Sequence, residues 1–305
     1  MTAQLDLSVV IVSHNTKEYT LAAIKAVLET VIRHTFEVIV VENMSSDGSF
    51  DAVRKRFPKV RVLRTKELVG FSSANNMGAA DARGEHLLFL NSDTAVHEGA
   101  IDTLLDFMKE DVKFGAVSGQ LLNSDGSIQP QGGALPNLWN IFGWMLFLDD
   151  ILTIRFIFNP YQQRSVRVFQ REQRNYGWLG GTVLLMPTKV FTRIEGWDDA
   201  IFLYGEDVEI SLRLHKQGYR LGLTPKAMIT HHRNKSMTSS ARSLVGEIEG
   251  LLYIWRKHFP TWQLPVVRLL LFIGSWLRIL VFGILMRDET RRNAYLEAQK
   301  RITLA

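Results

Sequence analysis

The chain has 305 residues, 46% hydrophobic and 22% charged, and it contains no cysteine. This composition indicates a folded protein of one large domain or two small ones, and it excludes disulfides, a cysteine nucleophile and cysteine-bound zinc. Most of the net charge of +5 comes from residues 264–305, and a basic segment beside an apolar one favours an anionic membrane surface over nucleic acid as the partner.

Short apolar, β-branched runs alternate with helix-compatible stretches in the first third of the chain. The runs are 7–12, 36–41, 60–63 and 86–90, and the helical stretches are about 17–32, 49–57 and 73–82. This alternation predicts βα units and a parallel sheet covered by helices on both faces. Residues 1–6 carry no basic region and no long apolar run, so no secretory signal is expected.

Polar residues follow three of these runs, where the carboxyl ends of parallel strands form one crevice. They are Ser13-His14-Asn15, Glu42-Asn43 with Asp47, and Asn91-Ser92-Asp93. A carboxylate at a strand end can hold a divalent cation against the phosphates of a ligand, so Asp93 is the first candidate metal ligand. A strand followed by an Asn- and Asp-capped turn also explains residues 86–93. Neither a Gly-x-Gly-x-x-Gly nor a Walker motif is present, which argues against a dinucleotide or P-loop site.

The middle of the chain shows a mixed pattern. Strands are predicted near 114–122, 182–187 and 219–230, and a helix at about 206–217 ends at Gly218. An apolar insert, residues 138–160, is too broken to span a bilayer. It fits either a pair of core helices or a lid or surface for an apolar acceptor.

Residues 264–286 form an extended apolar run that could nearly cross a hydrocarbon core. Arg278 lies near its centre, where a charge is costly. We therefore expect an interfacial helix from which Arg268 and Arg278 snorkel to the polar layer. A spanning helix and a helix packed on the domain are the alternatives.

Seven motifs in order resemble the family 2 glycosyltransferases of GT-A fold. The first four are Val12-Ser13-His14-Asn15, Glu42-Asn43-x-Ser45-x-Asp47-Gly48-Ser49, Gly70-Phe71-Ser72-x-Ala74-Asn75-Asn76-x-Gly78 and Leu88-Phe89-Leu90-Asn91-Ser92-Asp93. The last three are Trp178-Leu179-Gly180-Gly181, Gly196-Trp197-Asp198 and Phe202-x-Tyr204-Gly205-Glu206-Asp207-Val208-Glu209. The match covers residues 7–236 and most resembles the rhamnosyltransferase-like enzymes that build bacterial cell-surface glycans.

The resemblance implies an α/β fold of GT-A type: a Rossmann-like nucleotide-binding mixed sheet flanked by helices, with a C-terminal amphipathic or apolar helical extension. Residues 1–240 would form the glycosyltransferase domain. Within it, 1–112 would be the nucleotide-binding half and 113–240 the acceptor half. Residues 241–305 would be a helical, membrane-associating region.

The resemblance also implies roles for individual residues. It assigns nucleotide-sugar binding to Ser13, His14, Asn15, Glu42, Asn43, Asp47, Asn75, Asn76, Asn91, Ser92, Trp178, Gly180 and Gly181. Glu42 and Asn91 depart from the family, which has Asp at the first position and a charged ligand at the start of its DXD motif. Asp93 and His231 are assigned to a Mg²⁺ or Mn²⁺ ion, with His232 competing for the role of His231.

Asp207 is the implied general base, with Glu206 as its rival. Such a base takes the proton of the acceptor hydroxyl as its oxygen attacks the anomeric carbon in a single displacement. Because both residues open a helix, they also have an ordinary structural explanation. The same helix terminus is expected to favour the ionised form of Asp207.

The implied function is inverting, metal-dependent transfer of a sugar from a UDP- or dTDP-linked donor to a glycan or lipid-linked acceptor in cell-surface polysaccharide synthesis. The enzyme is expected at the cytoplasmic face of a bacterial membrane, peripheral or monotopic, with no nucleic acid partner. One alternative is a sugar-phosphate nucleotidyltransferase, which normally begins with a Gly-rich loop where this chain has Ser13-His14-Asn15-Thr16. The other is a catalytically silent, membrane-associated nucleotide-sugar-binding module.

Overall fold

The computed structural model describes residues 5–31, 33–151, 157–233 and 240–304. The strands are β1 (Leu5–Ser13), β2 (Phe36–Glu42), β3 (Arg61–Arg64), β4 (Gly84–Asn91), β5 (Thr94–Val96), β6 (Phe114–Leu122), β7 (Val183–Pro187) and β8 (Arg220–His231). The α-helices are α1 (Lys17–Thr30), α2 (Ser49–Arg56), α3 (Phe71–Ala80), α4 (Ala100–Lys109), α5 (Leu138–Met145), α6 (Val166–Phe169), α7 (Thr188–Arg193), α8 (Glu206–Lys216), α9 (Ser240–His258), α10 (Gln263–Leu280) and α11 (Glu289–Leu304).

The predicted βα units are confirmed in the first half of the chain. β1 pairs in parallel with β2 and β4, and β2 pairs in parallel with β3. Successive residues of β1 pack on opposite faces of the sheet. Val9 belongs to the apolar cluster that includes α1 and α4, and Val10 belongs to the cluster that includes α3 and α8. A strand buried on both faces explains why these runs are continuously apolar. The short strand β5 and helix α4 were not predicted.

The register of these strands brings their carboxyl ends to one level. Ser13 lies opposite Glu42, and Val12 lies opposite Asn91. The polar residues that follow β1, β2 and β4 therefore meet at one edge of the sheet, as the sequence predicted.

The sheet must curl, because its strand order separates neighbours in the chain. The order is β3-β2-β1-β4-β7-β6-β8-β5, so β7, β6 and β8 lie between β4 and β5. Four strand spacings in a flat sheet span roughly 19 Å. The three residue steps from Asn91 to Thr94 reach only about 11 Å. The edge strand β5 consequently turns back towards the end of β4, and β8 comes with it.

Helix α9 is joined to α8 by a buried charge cluster. Glu209 of α8 is fully buried and accepts hydrogen bonds from Arg213, Lys257 and His258, the last two at the end of α9. Burial opposes ionisation of Glu209, yet these bonds lower its pKa to about 2. Removing one partner of such a cluster leaves a buried charge uncompensated. The C-terminal region therefore packs directly on the helix that carries Glu206 and Asp207.

The prediction that Arg278 snorkels is wrong. Arg278 is 2% exposed, donates to the carbonyl oxygens of Trp144 and Met145 at the end of α5, and lies 4.3 Å from the centre of the Phe147 ring. A helix leaves its last carbonyls without partners inside the helix, and the guanidinium bonds two of them. The charge of Arg278, in the last turn of α10, thus joins α10 to the apolar insert.

Arg268 and the insert also contact the rest of the protein. Arg268 donates to the carbonyl oxygen of Ile302 at the end of α11, at 3.2 Å, and is partly exposed, so its snorkelling stays a prediction. In the insert, Ile141 and Met145 are fully buried, whereas Trp139 is exposed. Helix α5 of the insert is therefore buried on one face and open on the other, and a short 3-10 turn at Leu148–Asp150 follows it. Residues 152–156 lie outside the described residues.

The outer face of α10 carries a stripe of exposed apolar side chains three or four residues apart. These are Trp262, Val266, Leu269, Ile273, Trp276, Leu280 and Ile284. That spacing puts them on one side of the helix. The opposite side, with Val267 and Leu271, is buried. Within the described residues, the helix Gln263–Leu285, which includes a π-helical turn at Val281–Leu285, is long and apolar enough to cross a membrane.

Candidate functional site

A cavity of about 850 Å³ lies where the sheet edge meets α8 and α9. The predicted site residues in its wall are His14, Asn43, Asn91, Ser92, Asp93, Trp178, Gly181, Glu206, Asp207 and His231. Asp93 and Asp207 come from different halves of the chain, and the fold brings both into this cavity. We call the part lined by His14, Asn43, Asp93 and His231 the strand end, and the part lined by Glu206, Asp207 and Glu247 the helix end.

Two loops shape the strand end. The ring of His14 hydrogen-bonds through Nδ1 with the carbonyl oxygen of Asn43. The Asn43 side chain in turn donates to the Val69 carbonyl at 2.9 Å and accepts from the Val69 amide at 3.0 Å. These bonds orient the imidazole and the amide at the cavity wall, where the side chains are held by neighbouring backbone.

Several predicted binding residues do not line the cavity. They are Ser13, Asn15, Glu42, Asp47, Asn75, Asn76 and Gly180. Asp47 accepts hydrogen bonds from the Lys17 and Ser49 amides, at 2.8 and 3.0 Å. Burial opposes its ionisation, but the bonds from Ser49 and Lys17 lower its pKa. Asp47 therefore fastens the starts of α1 and α2 together.

Most of the other residues of this group also form hydrogen bonds within the protein. Glu42 is buried, accepts from the Ser45 amide and lies 3.2 Å from Arg64 Nε. Asn76 donates to the Trp197 carbonyl at 2.8 Å. Ser13 Oγ bonds with the Thr20 hydroxyl at 2.8 Å. Asn15 Oδ1 accepts from the Ser46 amide, and Asn75 donates to the Phe71 carbonyl. These side chains thus have partners within the protein, and their direct contact with a donor stays a prediction.

Asp93 and His231 face each other because β5 pairs with the end of β8. Asp93 Oδ1 lies 3.2 Å from His231 Nε2. The other oxygen, Oδ2, is buried and has no hydrogen-bond partner among the described residues. His232 Nδ1 bonds with Ser124 instead, at 2.8 Å. Of the two candidate histidines, His231 is therefore the one that meets Asp93.

A glutamine sets the orientation of the His231 ring. Gln129 Nε2 donates to Asn123 Oδ1 at 2.8 Å, which leaves Gln129 Oε1 as an acceptor. Oε1 lies 2.7 Å from His231 Nδ1, so Nδ1 carries a proton. In neutral His231 the lone pair of Nε2 then points to the Asp93 carboxylate. Two electron-pair donors so close are stabilised by a cation or a proton between them.

Glu206 and Asp207 follow a sharp turn. Tyr204 and Gly205 have positive φ angles of 72° and 99°, and α8 begins at the next residue. Asp207 Oδ1 accepts from the Val208 amide at 2.8 Å. Gly180 lies next to this carboxylate: an added Cβ would lie 4.0 Å from Asp207 Oδ2, an ordinary contact distance.

Burial decides the electrostatics of this pair. It raises the pKa of Asp207, although hydrogen bonds from the Val208 and Gly181 amides oppose the shift. It also raises the pKa of Glu206, and the nearby charge of Asp207 adds to the increase. The amides at the helix terminus thus act in the predicted direction, but desolvation outweighs them and the net pKa of Asp207 is raised.

A third carboxylate, Glu247 of α9, lines the same cavity and was not predicted. It accepts a hydrogen bond from Gln162. Burial raises its pKa to about 7; the bond from Gln162 opposes this increase and the charge of Asp207 adds to it. No local pattern identifies Glu247, since an acidic residue on a helix is normally a solvated one.

Close backbone packing brings Glu247 to the cavity. An added Cβ at Gly250 would lie 2.5 Å from the Tyr204 carbonyl oxygen, and one at Gly246 would lie 3.0 Å from the Leu203 carbonyl oxygen. Glycine at both positions lets α9 touch the loop before α8. The Gly-x-x-x-Gly spacing was the available signal in the sequence. It indicates close packing of the backbone but does not identify the element that packs there.

The described residues contain no group of three or more His, Asp or Glu side chains placed to hold a metal ion. Asp93 and His231 offer two ligands. A cation here would need further oxygens from a ligand, which is how a diphosphate commonly binds a divalent ion.

Comparison with known proteins identifies the family. Residues 8–171, more than half of the chain, match glycosyl transferase family 2. N-acetylglucosaminyl-diphospho-decaprenol L-rhamnosyltransferase of Mycobacterium tuberculosis is 29% identical over 256 residues, which cover 79% of this chain and 81% of that protein. This confirms the rhamnosyltransferase-like resemblance.

Two solved structures share the fold. Mannosyltransferase PcManGT from Pyrobaculum calidifontis superposes with a TM-score of 0.59 at 16% identity, covering 99% of this chain and 88% of that one. GalNAc-T7 superposes with a TM-score of 0.58 at 18% identity over 82% of this chain, which spans about half of that structure (48%). At such identities the likeness is one of fold, and the predicted GT-A architecture is confirmed. The chain therefore belongs to glycosyl transferase family 2, with a GT-A fold and a rhamnosyltransferase among its relatives.

Proposed function

We propose that the protein is an inverting glycosyltransferase that transfers a sugar from a UDP- or dTDP-linked donor to a lipid-linked or glycan acceptor in cell-surface polysaccharide synthesis. The observation that carries this proposal is the meeting of Asp93 and Asp207 in one cavity. The name of the mycobacterial relative supports the acceptor class, since it specifies a sugar on diphospho-decaprenol. The family match, to glycosyl transferase family 2, favours sugar transfer over nucleotidyl transfer.

Asp93 and His231 would hold a Mg²⁺ or Mn²⁺ ion. The unpartnered oxygen of Asp93 and the Nε2 lone pair of His231 suit a cation better than they suit each other. The GalNAc-T7 and PcManGT structures both contain Mn²⁺, which supports the assignment. A bound divalent ion would neutralise charge on the departing nucleoside diphosphate.

Asp207 is the proposed base. Its carboxylate takes the proton of the acceptor hydroxyl while the hydroxyl oxygen bonds to the anomeric carbon and the diphosphate leaves from the opposite side, so the configuration inverts. The raised pKa of Asp207 makes it a stronger base than an ordinary aspartate. Glu206, which is more buried, keeps its own proton to higher pH and limits negative charge beside the base.

The apolar stripe of α10 is the proposed contact with the cytoplasmic face of a bacterial membrane. Trp262 and Trp276 lie in the stripe, and tryptophan favours the lipid–water interface. Because the other side of α10 packs on the protein, the helix would lie on the membrane. Leu269→Glu with Ile273→Glu should abolish sedimentation with phosphatidylglycerol vesicles, whereas Val112→Glu, at a residue 95% exposed, should not. Equal sedimentation of both variants would contradict a membrane role for α10.

A panel of UDP- and dTDP-sugars tests the function as a whole. A donor bound only by the folded state raises the melting temperature, with a stabilisation of about 2.7 kcal/mol at roughly a hundred times its Kd. We expect stabilisation that needs Mg²⁺ or Mn²⁺ and disappears with EDTA. Absence of any shift across the panel, with and without metal, would refute the proposal.

A further inference from the structure

The C-terminal helices form one wall of the cavity. Ser243, Leu244 and Glu247 of α9 line it, and so does Arg291 of α11. None of these residues belongs to the part of the chain that matches the family. The wall therefore carries chemistry that the family motifs do not assign.

Glu247 and Arg291 both line the cavity and are connected through apolar packing. The guanidinium of Arg291 lies 5.2 Å from the centre of the Phe282 ring. Phe282 packs in a cluster with Leu244, which is one helical turn before Glu247 on α9. The C-terminal wall thus carries a carboxylate and a guanidinium in the same cavity as Asp207.

Arg291 can accept a stronger anionic partner than it has within the protein. Its Nε lies 3.3 Å from Asp288, and both side chains are partly exposed to solvent. Such surface pairs contribute little. A diphosphate offers two charges and a geometry that suits the guanidinium fork.

An apolar surface begins beside Arg291. The helix continues past Phe282 to Leu285, and Ile284, Leu285 and Met286 have 68%, 77% and 58% of their surfaces exposed. Ile284 is also the last member of the α10 stripe. A lipid chain attached to a diphosphate on Arg291 would find continuous apolar surface leading to the proposed membrane face.

We propose that α9 and α11 form the acceptor subsite for a sugar carried on a lipid diphosphate. Glu247 accepts hydrogen bonds from hydroxyls of the acceptor sugar, Arg291 binds the diphosphate, and Ile284–Met286 contact the start of the lipid. This inference rests on the proposed function and adds residues to it: the acceptor is recognised at three points in the order sugar, diphosphate, lipid.

Two acceptors and two matched controls test the proposal. The acceptors are an N-acetylglucosaminyl-diphospho-lipid with a short polyprenyl chain and octyl N-acetylglucosaminide, which has no diphosphate. The controls are Arg301→Ala and Glu249→Gln, which remove an exposed ion pair, 3.4 Å apart, between the same two helices. Because surface pairs contribute little, the controls should leave both KM values unchanged within about twofold.

Arg291→Ala should raise the KM for the diphospho-lipid by about tenfold or more and leave the KM for the octyl glycoside unchanged, since the lost bond is charge-assisted. Glu247→Gln should raise the KM for both acceptors. Should Glu247→Gln abolish turnover, quenching of tryptophan fluorescence by each acceptor gives the Kd instead, with the same expected order.

The outcomes separate this inference from the proposed function. Arg291→Ala with the same KM values as Arg301→Ala would overturn the diphosphate assignment, provided that donors still stabilise the variant. Glu247→Gln with unchanged acceptor KM or Kd would overturn the sugar contact. A wild-type protein that binds no nucleotide sugar would instead reject the proposed function.

Discussion

The two ends of the cavity use carboxylates in opposite ways. At the strand end, Asp93 faces His231 at 3.2 Å, in an arrangement that suits a cation. At the helix end, burial raises the pKa of Glu206, Asp207 and Glu247, which suits groups that take up protons. The strand end is suited to holding a cation, and the helix end is suited to accepting a proton transiently.

The difference comes from the neighbours and not from the residue type. Asp93 and Asp207 are both aspartates at the end of a secondary-structure element. Pairing of β5 with β8 supplies Asp93 with a histidine, whereas packing of α9 on the loop before α8 surrounds Asp207 with carboxylates and apolar groups. Active sites commonly give two residues of the same type different roles by placing them in environments that shift their pKa values differently.

Asp207→Asn tests the helix end and has the largest expected effect. The amide cannot accept the proton of the acceptor hydroxyl, so we expect turnover to fall by about 10²–10⁴-fold. Donor binding, measured as the metal-dependent rise in melting temperature, should persist because the strand end is intact. Full turnover in this variant would show that Asp207 is not the base. Donor binding without turnover in the wild type would favour a silent binding module.

Asp93→Asn tests the other end. The amide keeps the shape but loses the charge that holds the cation, so donor affinity in Mn²⁺ should fall by roughly tenfold or more. Titration calorimetry with and without EDTA measures the effect, and Asp51→Asn on the exposed side of α2 serves as the control. Metal dependence equal to that of wild type would rule out Asp93 as a ligand.

Gly250→Ala tests whether the helix end depends on α9. The added methyl would lie 2.5 Å from the Tyr204 carbonyl oxygen, so α9 or the loop must move. Overpacking of this kind costs about 1–3 kcal/mol, measured as a lower free energy of unfolding in urea. Turnover should fall more than donor affinity, because the displaced loop leads directly into the first turn of α8, which carries Asp207. A fully stable and active variant would show that α9 does not position the helix end.

A further test concerns pH. Because the folded protein raises the pKa of Glu206, the unfolded chain loses this proton first as pH rises. In the window between the ordinary pKa of Glu and the raised one, the folded state therefore loses stability with increasing pH. Glu206→Gln removes this dependence. The melting temperature of the variant minus that of wild type should therefore increase as pH rises from about 5 to about 8. A constant difference would mean that the pKa of Glu206 is not raised.

Local sequence determined much of the fold. Apolar β-branched runs predicted β1, β2 and β4, because strands buried on both faces leave an unbroken apolar signature. Strand ends that carry Asn, Ser and Asp predicted the cavity edge, because parallel strands end at one level. The motif order also led to Asp93 and Asp207, whose roles are now open to the tests above.

Only the tertiary structure decided what depends on partners distant in the chain. Period and composition could not show that His231 would face Asp93, since that follows from a three-residue strand and a curled sheet. They misjudged Arg278, whose partners lie 133 and 134 residues away in α5. They missed Glu247, which reaches the cavity only because two glycines let α9 approach the loop before α8. Periodicity reports which face of an element is buried, but the groups that meet there, and hence their charge states, are set by packing between elements.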